Sequence, residues 1–138
     1  MKKISLILFI IIVCISCGQK DQHHENFHSD KMMIRISEIE VVPEYLEEYL
    51  SILKEESKAS VELESGVISI YPMYEKENPT EIRILEIYSD RKAYESHLET
   101  PHFKHYKSTT LKMVKSLKLV DMDAIDGETM PMIFKKIN

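Results

Sequence analysis

The 138 residues include only three glycines, Gly18, Gly66 and Gly127, and no two of them are close. That spacing leaves no Gly-rich phosphate cradle of the nucleotide-loop or dinucleotide kind. No Gly-x-Ser-x-Gly elbow and no His-Glu-x-x-His helix is present, so the common hydrolase and zinc-peptidase signatures are missing too. There is no tryptophan. Positive charge is in the minority, with 18 Lys and Arg against 23 Asp and Glu. An acidic chain lacks the basic face that phosphate backbones require, so nucleic acid is not an expected partner. Cysteine occurs twice, at Cys14 and Cys17. Their spacing matches a redox pair, but such pairs open a helix inside a folded domain. This one closes an apolar run near the N-terminus.

That run, Ile4 to Ile15, follows Lys2 and Lys3. It has signal-peptide length and is too short to span a bilayer comfortably. Its end, Cys14-Ile15-Ser16-Cys17-Gly18, resembles a bacterial lipoprotein cleavage site, with Cys14 where Leu is usual. Residues 1–16 are accordingly expected to be a signal peptide, and Cys17 a lipidated mature N-terminus. The mature chain then has 122 residues, and loss of Lys2 and Lys3 moves the formal charge from −5 to −7. It has no free thiol, which excludes thiol catalysis, Cys-ligated zinc and disulfides together. Membrane attachment comes from acyl chains. Gly18 supplies no inner-membrane retention signal of the Asp type, so the expected site is the cell envelope, at the outer membrane. Residues 17–30 are polar, carry His23, His24 and His28, and read as a flexible tether.

One domain is expected over residues 31–122. Met32, Ile34 and Ile36 alternate with Met33, Arg35 and Ser37, a strand pattern. Pro43 opens a helix in which Leu46, Tyr49, Leu50 and Leu53 form one stripe, expected to pack on a sheet. Gly66 is read as a permissive turn residue. Val67 to Tyr74 and Glu81 to Tyr88 are strands, and Pro72 marks the first as an edge or a bulge. Ser89-Asp90 caps a short helix, and Thr100-Pro101 stops it and starts another, running to about Val114. Ser116 to Met122 is a fourth strand. Residues 123–138 form a tail with room for one further strand around Met130 to Phe134. The order strand, helix, strand, strand, helix, strand predicts an α+β, ferredoxin-like βαββαβ fold with an antiparallel sheet.

A strand ending in Glu86-x-Tyr88, a capped helix, and then His97-x-x-Thr100-Pro101-His102-Phe103 resembles the antibiotic biosynthesis monooxygenase domain, in its quinol-monooxygenase-like branch. The Glu64-Ser65-Gly66 turn fits the family's Glu-x-Gly turn. The resemblance covers roughly residues 31 to 122. It implies a homodimer in which two sheets pair into a dimeric α/β barrel, with the tail reaching across to the partner. It also implies a cofactor-independent monooxygenase that oxidises a small quinol or related electron-rich aromatic with dioxygen. The absence of tryptophan argues against the haem-degrading relatives.

On this reading His97 is the candidate base, since imidazole titrates near neutrality. Glu86 is expected to orient His97 or a substrate hydroxyl. Tyr71, Phe103 and Tyr106 are candidate walls for a flat ring, with ordinary core as the competing reading of each, and His102 is expected to line the pocket mouth or support the helix start. His97, His102 and His105 make a nominal three-His set, but no recognised ligand spacing supports a metal there. No cofactor is expected. Two other readings use the same scaffold: a small-ligand-binding module without turnover, and an isomerase.

Overall fold

The computed structural model describes residues 29–137. The signal-peptide and lipidation expectations, Cys17 included, lie outside the described residues, as do residues 17–28 of the tether. Among the described residues no helix is long and apolar enough to cross a membrane.

Four strands form one antiparallel sheet: β1 (Met33–Val41), β2 (Val67–Tyr74), β3 (Glu81–Tyr88) and β4 (Val114–Met122), in the order β2-β3-β1-β4. Helices α1 (Leu46–Leu63), α2 (Arg91–Leu98) and α3 (Pro101–Thr110) complete the ferredoxin-like α+β fold that the sequence predicts. Pro72 lies on an edge strand, where its missing N–H breaks no interior ladder. Asp90 caps α2 by accepting the Ala93 N–H at 2.7 Å. Thr100 joins α2 to α3: its hydroxyl donates to the His97 carbonyl at 2.8 Å and accepts the Phe103 N–H at 3.4 Å.

Three details depart from expectation. Helix α3 ends at Thr110, and a 3-10 turn at Leu111–Met113 leads into β4. The β-branched pair Thr109-Thr110 weakens the helix there, and fully buried Met113 pulls the chain onto the core. The tail holds a helix, α4 (Thr129–Lys135), in place of a strand. Asp126 starts it by accepting the Glu128 N–H at 2.8 Å, and Pro131 falls in the first turn, where no N–H is needed. Gly66 has no left-handed backbone. Its need is space: a Cβ there would lie 2.5 Å from the Ala93 Cβ, so the turn and α2 touch backbone to side chain.

The two faces of the sheet differ in kind. Arg35, Glu86 and Ile70 stand side by side across three strands, on the face toward the helices. Ile36, Leu85 and Tyr71 share the opposite face. The helix side of β1 thus carries Met33, Arg35, Ser37, Ile39 and Val41, all buried. The apolar Ile34 and Ile36 look the other way, toward Met122, Ala124 and Ile125 of the segment after β4. The core proper is Tyr49 and Leu53 of α1 against Ile82, Ile84 and Tyr88 of β3.

Candidate active site

Helix α1 continues its inward stripe past Leu53 with polar residues: Glu56, Ser57 and Ser60 are buried. Polar side chains on a packed face need internal partners. The Ser57 and Ser60 hydroxyls donate to the carbonyls of Leu53 and Glu56, and Ser60 also donates to Glu56 Oε1 at 2.7 Å. Glu64, just past the helix end, completes the row. Glu56 and Glu64 of this row meet His97 at the end of α2.

His97 is 3% exposed. Its Nδ1 lies 3.0 Å from Glu64 Oε1. The same oxygen lies 2.6 Å from His102 Nε2. An ionised carboxylate only accepts, so each ring donates an N–H to it. The neutral His97 ring therefore keeps its lone pair on Nε2. That nitrogen is 3.7 Å from Glu56 Oε1, too far for a hydrogen bond. The Phe103 ring packs on the imidazole with centroids 4.7 Å apart, and Tyr88 at 5.5 Å.

His97 forms part of the wall of a cavity of about 480 Å³ between the helices and the sheet. That volume suits a small organic ligand. Ile39, Ile70, Ile84, Phe103, Tyr106 and Leu119 supply apolar wall. Polar groups converge at a few points: His97, Glu56, Glu86, Ser37 and Arg35. Glu86 is held from two sides, by the Ser37 hydroxyl and by the Tyr88 hydroxyl at 2.9 Å. Burial pushes the Tyr88 hydroxyl far above its ordinary pKa, and the Glu86 charge adds to this, so it stays a donor. Arg35 packs over the Tyr94 ring at 4.8 Å and binds Asp121 through Nε and Nη2. Tyr49 and Tyr106 share a hydroxyl contact of 2.7 Å, and burial pushes the Tyr106 hydroxyl up to about 12.

The candidate residues thus fall into two groups. His97, Glu86, Phe103 and Tyr106 line one cavity. His102 stands beside Glu64 and is not part of the cavity wall. Tyr71 is 62% exposed and lies on the other face of the sheet, so it is no wall of this cavity: β-strand alternation gives that place to Ile70. The carboxylates nearest the His97 ring are Glu64 and Glu56; Glu86 is engaged by Ser37 and Tyr88. Glu56, Arg35 and Ser37 are site residues that the sequence reading passed over. The helical phase 49, 53, 56, 60 was the signal for Glu56, masked by the expectation of an apolar stripe.

Glu56 yields a pH prediction. Burial pushes its carboxyl up, opposed by the Ser60 bond and by His97 and His102. A folded-state pKa above the unfolded one means that the fold binds this proton more tightly. Its contribution to stability is fully present below the ordinary carboxylate range and is lost as pH rises through the raised value. Glu56→Gln removes that titration and keeps an oxygen for Ser60. The variant is expected to gain stability relative to wild type as pH rises from 4 to 8. Denaturant unfolding across that range checks this; parallel stability curves would contradict it.

Comparison with known proteins agrees with this architecture. Residues 32–109 match the family model described as antibiotic biosynthesis monooxygenase. A solved structure from Bacteroides thetaiotaomicron, named as a proposed antibiotic biosynthesis monooxygenase, is 48% identical. The match covers 72% of this chain and 94% of that one, with a TM-score of 0.71. A Lactobacillus acidophilus structure, named as a proposed monooxygenase, is 30% identical over 67% of this chain and 44% of that one, with a TM-score of 0.65. A Caulobacter crescentus structure at 20% identity, covering 75% of this chain and 99% of that one with a TM-score of 0.66, shares the fold. No curated protein matches the chain. With its domain matched over more than half the sequence and a solved relative at nearly half identity, the chain belongs to the antibiotic biosynthesis monooxygenase family.

Proposed function

We propose that this protein is a cofactor-independent monooxygenase that oxidises a small quinol or related electron-rich aromatic with dioxygen. The observation that carries this reading is the His97 imidazole. It is held through Nδ1 by Glu64, and it stands with Nε2 free in the wall of a ring-sized cavity.

The chemistry follows from that geometry. A quinol seated against Phe103 and Tyr106 presents a hydroxyl to Nε2, which takes the proton. The positive charge gained by the ring faces the Glu64 carboxylate. The substrate anion is a better one-electron donor, and it reduces dioxygen to superoxide. Recombination of the two radicals forms a carbon–oxygen bond, and the proton held on His97 Nε2 passes to the outer oxygen to give a hydroperoxide and regenerate the base. Loss of water from the hydroperoxide gives the hydroxyquinone. Quinol and dioxygen are thereby converted to hydroxyquinone and water, with the substrate supplying all the electrons. Glu86, fixed by Ser37 and Tyr88, retains acceptor capacity for a second hydroxyl.

The assembly and location are part of the same proposal. The sheet face away from the helices exposes Tyr71, Met73 and Met122, and an apolar face of that kind supports a homodimer with paired sheets. The run Ile4 to Ile15 before Ser16-Cys17 supports a lipid anchor in the cell envelope, at the outer membrane.

Oxygen consumption with a panel of quinols, combined with ¹⁸O₂ labelling of the product, tests the reaction. Uptake of one O₂ per quinol with one labelled oxygen retained supports it. Saturable binding without uptake would make the chain a binding module, and conversion under anaerobic conditions would make it an isomerase.

A further inference from the structure

Behind the cavity, three side chains from three separate elements converge. Glu64 follows α1, His97 ends α2 and His102 begins α3. One atom from each lies within 4.8 Å of the others: a Glu64 carboxylate oxygen, His97 Nδ1 and His102 Nε2. His97 is 3% exposed, Glu64 12% and His102 19%, so the cluster is held by packing and still reachable from one side. His105, exposed on α3, takes no part in it.

Two imidazoles and one carboxylate are the donor set of an open tetrahedral zinc site. A four-coordinate ion with bonds of about 2 Å places neighbouring ligand atoms about 3.3 Å apart. The separations of 2.6 and 3.0 Å to the Glu64 oxygen are both shorter than that spacing, so the side chains would move apart by under about 1 Å to admit the ion. Nitrogen and oxygen donors of this kind favour Zn²⁺, Co²⁺ and Ni²⁺ over Mg²⁺ or Ca²⁺.

We propose that Glu64, His97 and His102 form a divalent transition-metal site whose occupation switches off the base at His97. The binding half of this stands on the geometry alone; the switching half rests on the function proposed above. In the metal-free protein the His97 proton is on Nδ1, and the lone pair on Nε2 serves the substrate. An ion takes the Nδ1 lone pair. The ring proton then moves to Nε2, and that nitrogen becomes a donor that cannot accept a substrate proton. The His102 proton moves likewise from Nε2, where it faced Glu64, to Nδ1, and this ring binds through Nε2. Each neutral ring retains one proton, so the exchange is a tautomer shift with no net proton release. The cation acts as an inhibitor from behind the imidazole, without entering the cavity.

The test uses the full chain with His23, His24 and His28 replaced by Gln, so that the tether does not bind metal itself. Chelator-treated protein is titrated with Co²⁺ and followed by the visible ligand-field bands of four-coordinate cobalt. One equivalent is expected, and its affinity is expected to fall at least tenfold in His102→Ala and in Glu64→Gln, each checked for folding by circular dichroism. Quinol turnover is then measured with redox-inert Zn²⁺. Inhibition is expected at the Zn²⁺ concentration at which Zn²⁺ displaces the cobalt bands, and to move to at least tenfold higher Zn²⁺ in His102→Ala. Cobalt uptake that is absent, or unchanged in both variants, overturns the site. Uptake with undiminished turnover overturns the switch. If no quinol is turned over at all, the cobalt titration still decides the site, and the failure falls on the proposed function.

Discussion

Replacing His97 with Gln is expected to lower kcat/KM for quinol oxidation by about 10²–10⁴-fold, the usual contribution of a positioned general base. The loss should fall mainly on kcat. Phe103, Tyr106 and the aliphatic wall still bind the ring in the variant, so KM should change little. Gln can still donate to Glu64 but has no lone pair of useful basicity toward the cavity. Thermal unfolding and circular dichroism should show a folded protein, since a polar, hydrogen-bonding side chain of similar volume is retained. Wild-type turnover in this variant would remove His97 from the chemistry.

The second large effect is expected at Gly66, which takes no part in the chemistry itself. Alanine there would put its Cβ 2.5 Å from the Ala93 Cβ, 3.3 Å from Ser89 Oγ and 3.5 Å from the Ala93 Cα. The nearest of these belongs to a short, rigid side chain on a helix, so α2 must move. Overpacking of this kind costs about 1–3 kcal/mol. Because α2 carries His97, the shift also disturbs the contact with Glu64, and activity should fall with stability. Ala93→Gly in the same chain opens the space again. The double variant should recover more stability than the two separate changes predict by addition. Unfolding in urea of the four proteins measures this coupling; strict additivity would show that Gly66 and Ala93 do not constrain each other.

Much of the fold was legible because its signals are local. The alternation of β3, the caps at Asp90 and Thr100 and the proline at 101 each act within a few residues. The strands Val67–Tyr74 and Glu81–Tyr88 and the junction of α2 with α3 accordingly fall where those signals put them. The tail was not legible in the same way. Met130, Met132 and Ile133 fit a strand or a short helix equally, and the bond to Asp126 that starts the helix is a detail of loop geometry.

The site divides along the same line. His97 stood out through its motif, but its partners are 33 and 41 residues away, on α1 and at its end. Nothing in the chain order marks Glu56 or Glu64 as neighbours of His97, and a glutamate on a helix is ordinarily a solvated one. Arg35 and Ser37 face inward because this face of the sheet lines a cavity that takes polar groups at a few points, as well as packing on helices. Binary patterning assumes an apolar inner face, and it misreads a strand wherever a site replaces core. Tyr71 fails for the complementary reason. An aromatic residue on an edge strand looked like pocket wall, and alternation turned it to the far face.

The central claim is that His97 Nε2 removes a hydroxyl proton from a ring bound in the cavity. Anaerobic mixing of a quinol with the protein isolates that step, because without dioxygen nothing follows it. The ultraviolet band of the quinol anion should appear on binding to wild type at a pH where free quinol is neutral, and should be absent with His97→Gln at saturating protein. Equal anion formation in both proteins, or none in either with binding demonstrated, would contradict the account.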